Sequence, residues 1–67
     1  MNKFAERLRE LRIDKNLTQE QLAKNLGFSR PVITNWELKN REPELDVIIK
    51  IAKYFCVTTD YLLGMED

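Results

Sequence analysis

Thr18 to Trp36 reads TQEQLAKNLGFSRPVITNW. Thr18-Gln19-Glu20-Gln21 is a capping box: the Thr hydroxyl accepts from a first-turn amide and Gln21 reaches back. Leu22, Ala23 and Leu26 then fall on one inner face, which predicts a helix over about 18–26. Gly27 stops it, because the stop asks for a backbone φ above zero. Ser29 is a good cap for a second helix over about 29–39. Pro31 stands in its first turn, where a missing amide costs little. Phe28 and Ile33 have the spacing of a hydrophobic staple. The stretch is therefore helix, glycine turn, helix.

Outward from this unit the chain stays helical. Phe4, Leu8 and Leu11 make one apolar stripe on a helix from about Asn2 to Asp14. Asn40 to Glu44 is a loop closed by Pro43. A fourth helix, about Leu45 to Phe55, is predicted to bury Leu45, Ile48, Ile49, Ala52 and Phe55. Thr58 caps a last short helix, Thr59 to Leu63, ended by Gly64. The fold class is all-α, a compact five-helix domain. Sixty-seven residues allow one domain, 1–67, and such a chain buries only about 60% of its unfolded surface. No room is left for a separate effector-binding domain, so no small-molecule effector is expected.

Composition excludes several classes. No apolar run approaches the ~20 residues of a membrane span, and nothing resembles a signal peptide. Cys56 is the single cysteine, so no internal disulfide forms, and with no His no familiar metal set exists. Cys56 itself is expected to be a small buried hydrophobe. No cofactor is implied, and a cytoplasmic setting fits. An enzyme is a poor reading: there is no nucleophile elbow and no phosphate-binding glycine loop. Net charge is zero, yet residues 1–41 carry nine Lys/Arg against five Asp/Glu, and residues 42–67 two against six. One face can meet phosphate while the far side stays acidic.

On a helical wheel Val32, Ile33 and Trp36 face the core, and Arg30, Pro31, Thr34, Asn35 and Leu38 face outward. Those outer residues suit base edges. Arg bonds guanine O6 and N7, Asn bonds adenine N6 and N7, Thr34 meets a base or a thymine methyl, and Pro31 makes apolar contact. Gln19 can reach a phosphate at a helix N-terminus, and Lys39, Asn40 and Arg41 can grip the backbone. Arg12 and Glu37 lie at the edges of their apolar stripes, where a pair is permitted.

LRELRIDKNLTQEQLAKNLGFSRPVITNWELKNREP with LDVIIKIAKYFCVTTDYLLG resembles the lambda-repressor-like helix-turn-helix domain, the Cro/repressor type or XRE family, over about residues 4–64. The resemblance implies five helices and dimeric binding to double-stranded DNA, in the major groove, at a pseudo-palindromic operator. It implies that Gln19 bonds phosphate and supports the recognition helix. By the same resemblance Ser29, Arg30, Pro31, Thr34 and Asn35 face bases or nearby phosphates. It makes Arg12–Glu37 a buried ion pair and places the homodimer contact near Thr59, Tyr61 and Met65. Three departures stand out. Leu38-Lys39 replaces the usual Asn-Gly turn, so the left-handed residue is expected to shift to Asn40. Cys56 occupies a usual glycine position, and Glu44 replaces a Ser or Thr cap. The expected function is a sequence-specific transcriptional regulator, a repressor acting by steric block. The competing reading is a protein-interaction module, such as an antitoxin-type or partner-binding subunit, using helix five or Val47 and Leu38.

Overall fold

The computed structural model describes residues 2–66, and within them five helices follow one another with no strand. They are α1 (Phe4–Asp14), α2 (Gln19–Leu26), α3 (Arg30–Glu37), α4 (Leu45–Phe55) and α5 (Thr59–Leu62). No helix of the described residues is long and apolar enough to cross a membrane. The core gathers Phe4 and Leu8 of α1, Leu22 and Leu26 of α2, Ile33 and Trp36 of α3, Ile51 and Phe55 of α4 and Leu62 of α5. Trp36 is its largest side chain, 5% exposed. Phe4 and Phe28 meet it edge-on, with centroids at 6.2 and 5.2 Å. This is a favoured aromatic geometry, worth about 0.5–1.5 kcal/mol per pair beyond the area buried. Phe28, before the α3 cap, thus anchors the turn on Trp36.

All five helices end in one way. The residue that follows the donor of the last full helical bond turns left-handed: Asn16 (φ 58), Gly27 (φ 84), Lys39 (φ 65), Cys56 (φ 59) and Gly64 (φ 80). Its amide returns to the carbonyl three residues back, and the following amide returns to the one five back. This is the Schellman motif. It occupies carbonyls that the helix ends would otherwise leave unpaired.

Four expectations are corrected. The left-handed residue after α3 is Lys39 and not Asn40, because the last helical bond, Leu38 N–H to Thr34 O at 2.9 Å, sets the register of the stop. Ser29 precedes α3 but its side chain caps nothing. Pro31 lacks the amide that such a cap would use, and the Val32 N–H goes to the Ser29 carbonyl at 3.1 Å. On α4, Leu45 (70%) and Ile49 (39%) are exposed while Ile51 is fully buried. The buried face is Ile48, Ile51, Ala52 and Phe55, rotated by about 50° from the expected one at 100° per residue. Cys56 is exposed, because the left-handed stop after α4 carries its side chain into solvent.

Candidate nucleic-acid interface

The capping box of α2 forms as its sequence requires. Thr18 Oγ1 accepts from the Gln21 amide at 3.0 Å, and Gln21 Oε1 accepts from the Thr18 amide at 2.9 Å. Gly27 and Phe28 then close the turn, and α3 leaves with Ile33 and Trp36 buried. With that inner face held, Arg30 and Pro31 stand exposed on the outside and Thr34 and Asn35 are half-buried. These four line a shallow concavity of about 300 Å³ on the outer side of α3.

A second hollow, about 460 Å³, opens at the start of α2 between Arg12, Thr18, Gln19, Glu20 and Arg30. The first amides of α2 lie here without helical partners, which suits an anion. Thr18 joins this lining although the sequence marked it only as a cap. Glu20 sits there as well, and its charge opposes that use.

Beneath the two hollows runs one hydrogen-bonded network. Arg12 grips Glu37 twice, Nε to Oε2 at 2.7 Å and Nη2 to Oε1 at 3.1 Å. Its Nη1 donates to the Leu17 carbonyl at 2.8 Å. Gln19 Nε2 donates to Glu37 Oε1 at 3.0 Å, and Thr34 Oγ1 donates to Gln19 Oε1 at 2.7 Å. The Arg12 and Glu37 side chains are only 13% and 4% exposed, so the pair is sheltered and fully hydrogen-bonded. α1, α2 and α3 are joined through it. The resemblance implies that Gln19 supports the recognition helix, and the structure supplies the partners, Glu37 and Thr34. These links span 18 and 15 residues, and no local spacing signals them.

The remaining candidates scatter. Lys39 does not lie with α3's outer residues: its ammonium is 3.3 Å from Glu6 of α1. Lys39 holds the Glu6 carboxyl below its ordinary range, first by hydrogen bonding and then by charge. Asn40 Nδ2 approaches Asn35 Oδ1 at 3.4 Å, a long and weak contact. Arg41 is exposed and joins Pro31, Val32, Asn35 and Val47 around a cleft between α3 and α4. Ser29 is exposed. Thr59 and Tyr61 are half-buried on α5, with the Arg7 guanidinium 4.2 Å over the Tyr61 ring, and Met65 is 74% exposed.

A short capped helix, a left-handed turn and a second helix with a polar outer face make a helix-turn-helix unit, here set in five helices. The chain belongs to the helix-turn-helix family, in its Cro/repressor type; the family model, described as "Helix-turn-helix", matches residues 8–62. Over 64 residues, 96% of the chain, it is 47% identical to the HTH-type transcriptional activator BcrR of Enterococcus faecalis, covering 31% of that protein. It is 43% identical over the same length to the HTH-type transcriptional regulator YqaE of Bacillus subtilis, covering 55% of it. The chain thus spans about a third to a half of these relatives. The P22 c2 repressor, solved in complex with a synthetic operator, superposes with a TM-score of 0.84 at 30% identity. That match covers 94% of this chain and 96% of the repressor's.

Proposed function

We propose that this chain is a single DNA-reading domain of a sequence-specific transcriptional regulator. In this reading it binds double-stranded DNA as a homodimer, and α3 enters the major groove at each half of a pseudo-palindromic operator. One observation carries the proposal: Arg30, Pro31, Thr34 and Asn35 share the open side of a helix whose other side is locked into the core by Ile33 and Trp36. These side chains have the chemistry to meet base edges. The likeness to an operator-bound repressor supports it.

Gln19, Ser29 and Arg41 are assigned to phosphates, where they position the domain and carry no sequence information. Lys39 and Asn40 join them once Lys39 leaves Glu6. The dimer contact is assigned to the neighbourhood of Thr59, Tyr61 and Met65, and the exposed Met65 supports it. The domain acts without catalysis, cofactor or small-molecule effector, in the cytoplasm. Repression by blocking polymerase is the proposed mode, although the relative BcrR is an activator.

The test is selection of bound sequences from a random duplex pool at two salt concentrations. The expected result is a palindrome with half-sites about 34 Å, one helical turn, apart. Arg30→Ala is expected to lose roughly 1–3 kcal/mol and relax preference at one base position, and Asn35→Ala to do so at another. Enrichment that vanishes at the higher salt would reduce the activity to phosphate binding. Both variants behaving as wild type in the cell would favour a protein-interaction module instead.

A further inference from the structure

The hydrogen bonds that join α1, α2 and α3 run in one direction, and we infer that this direction dictates what Thr34 can offer to a base. The inference rests on the DNA-reading role proposed above.

The series starts at Arg12, whose guanidinium contains only donors. It meets both oxygens of Glu37. That carboxylate contains only acceptors, so the group of Gln19 lying 3.0 Å from Glu37 Oε1 has to be the amide nitrogen. A reversed amide would set oxygen against oxygen. Gln19 Oε1 is then turned toward Thr34, 2.7 Å from its hydroxyl oxygen. Two oxygens at that distance need a hydrogen between them, and the amide oxygen has none. Thr34 therefore commits its only hydroxyl hydrogen to Gln19.

A threonine hydroxyl is ordinarily ambivalent, donating or accepting as its partner requires. This one is not. Beside Arg30, Pro31 and Asn35 on the open side of α3, it keeps a lone pair and a methyl group. In the major groove guanine presents only the acceptors N7 and O6, adenine and cytosine present amino groups, and thymine presents a methyl. The base facing Thr34 is thus an amino-bearing base or thymine, and guanine is excluded. Thr34 is a specificity residue, and Gln19, Glu37 and Arg12 are positioning residues that act through it.

The experiment is the same pool selection, run on this 67-residue chain as wild type, Thr34→Val and Glu37→Gln. Glu37→Gln lets Gln19 turn over, so that Thr34 can donate. Thr34→Val keeps the shape and removes the hydroxyl at a half-buried surface position, so it guards against a Glu37 variant that fails to fold. In the wild type, guanine should be depleted about tenfold at one position of each half-site, the scale of a single specific contact. Glu37→Gln should readmit guanine there and leave other positions unchanged. Thr34→Val should keep thymine and lose the amino-bearing bases. A loss of stability alone would weaken binding to all sequences without moving one base preference. An enriched operator with the same preferences in all three proteins, or with guanine enriched where Thr34→Val alters preference, overturns the inference alone. No enriched sequence for the wild type overturns the DNA-reading role, and the inference with it.

Discussion

Lys50, in the middle of α4, donates its ammonium to the Leu26 carbonyl at 2.6 Å and lies 5.4 Å over the Phe28 ring. Leu26 ends α2 and Phe28 begins the approach to α3. One turn further along α4, the Tyr54 hydroxyl accepts from Asn25 Nδ2 at 2.9 Å. The turn between the two helices is therefore held from outside by α4, at the negative end of the α2 dipole. Lys50→Met keeps the aliphatic stem and removes the charge. It should cost about 1 kcal/mol, near the lower end for a bond to a charged group because Lys50 is largely exposed. Urea unfolding checks this, and an unchanged midpoint would show the contact to be incidental.

Arg12→Ala leaves Glu37 almost wholly buried without its main partner. Removing one member of a buried pair costs about 3–5 kcal/mol. Gln19 still donates to Glu37 Oε1, so the lower figure, about 3 kcal/mol, is expected. That is a large share of the stability of a domain this small, at about 4–8 °C of Tm per kcal/mol. Removing both charges, as in R12M with E37M, should return most of the loss. A melting temperature unchanged in Arg12→Ala would dismiss the pair as a structural tie.

Cys56 and Lys39 hold left-handed backbone with φ of 59 and 65. An L side chain there costs roughly 1–2 kcal/mol, part of which glycine would return in unfolded-state entropy. Cys56→Gly should stabilise by about 0.5–1 kcal/mol. Lys39→Gly should gain less, since it also loses Glu6. Equal or lower stability for Cys56→Gly would mean that the thiol makes contacts that offset the backbone strain.

The Glu6–Lys39 pair makes a prediction in pH. Lys39 lowers the Glu6 carboxyl from its ordinary 4.5, so the folded value lies below the unfolded one. The pair's contribution is present above about pH 4.5 and is lost as pH falls through the folded value. Both side chains are 53% exposed, so the effect is small and screened by salt. Glu6→Gln should be slightly less stable than the wild type at neutral pH and converge with it as pH falls through the folded value, so that its acid limb is flatter. Parallel stability curves for the two proteins between pH 3 and pH 7 would refute it.

The elements and the site differ in how legible they were in the sequence. Caps and stops are local chemistry, so Thr18, Gly27 and the bounds of α4 could be read within a residue. The buried side of α4 could not. Val47, Ile48, Ile49 and Ile51 spread apolar side chains over most of that helix, and only packing against its neighbours selects which are covered. Cys56 shows two local rules in conflict: its composition says buried, its place after a helix says left-handed and outward, and the stop prevails. In the site, the wheel placed Arg30, Thr34 and Asn35 on one side of α3 from periodicity alone. That Thr34 is bonded to Gln19 depends on how α2 and α3 cross, which no spacing within either helix records.

Gly64 has a further consequence. The Lys3 amide donates to the Leu63 carbonyl at 3.1 Å, and a Cβ placed on Gly64 would come within 2.7 Å of the Lys3 Cβ. Arg7 reaches across to the Glu66 carbonyl at 3.4 Å. The start of α1 and the end of α5 thus close on each other, and the path of the backbone is nearly a ring. Local opening is therefore expected to be shared by the two elements: loosening α5 should loosen the first turn of α1, and Leu62 and Phe4 should leave the core together.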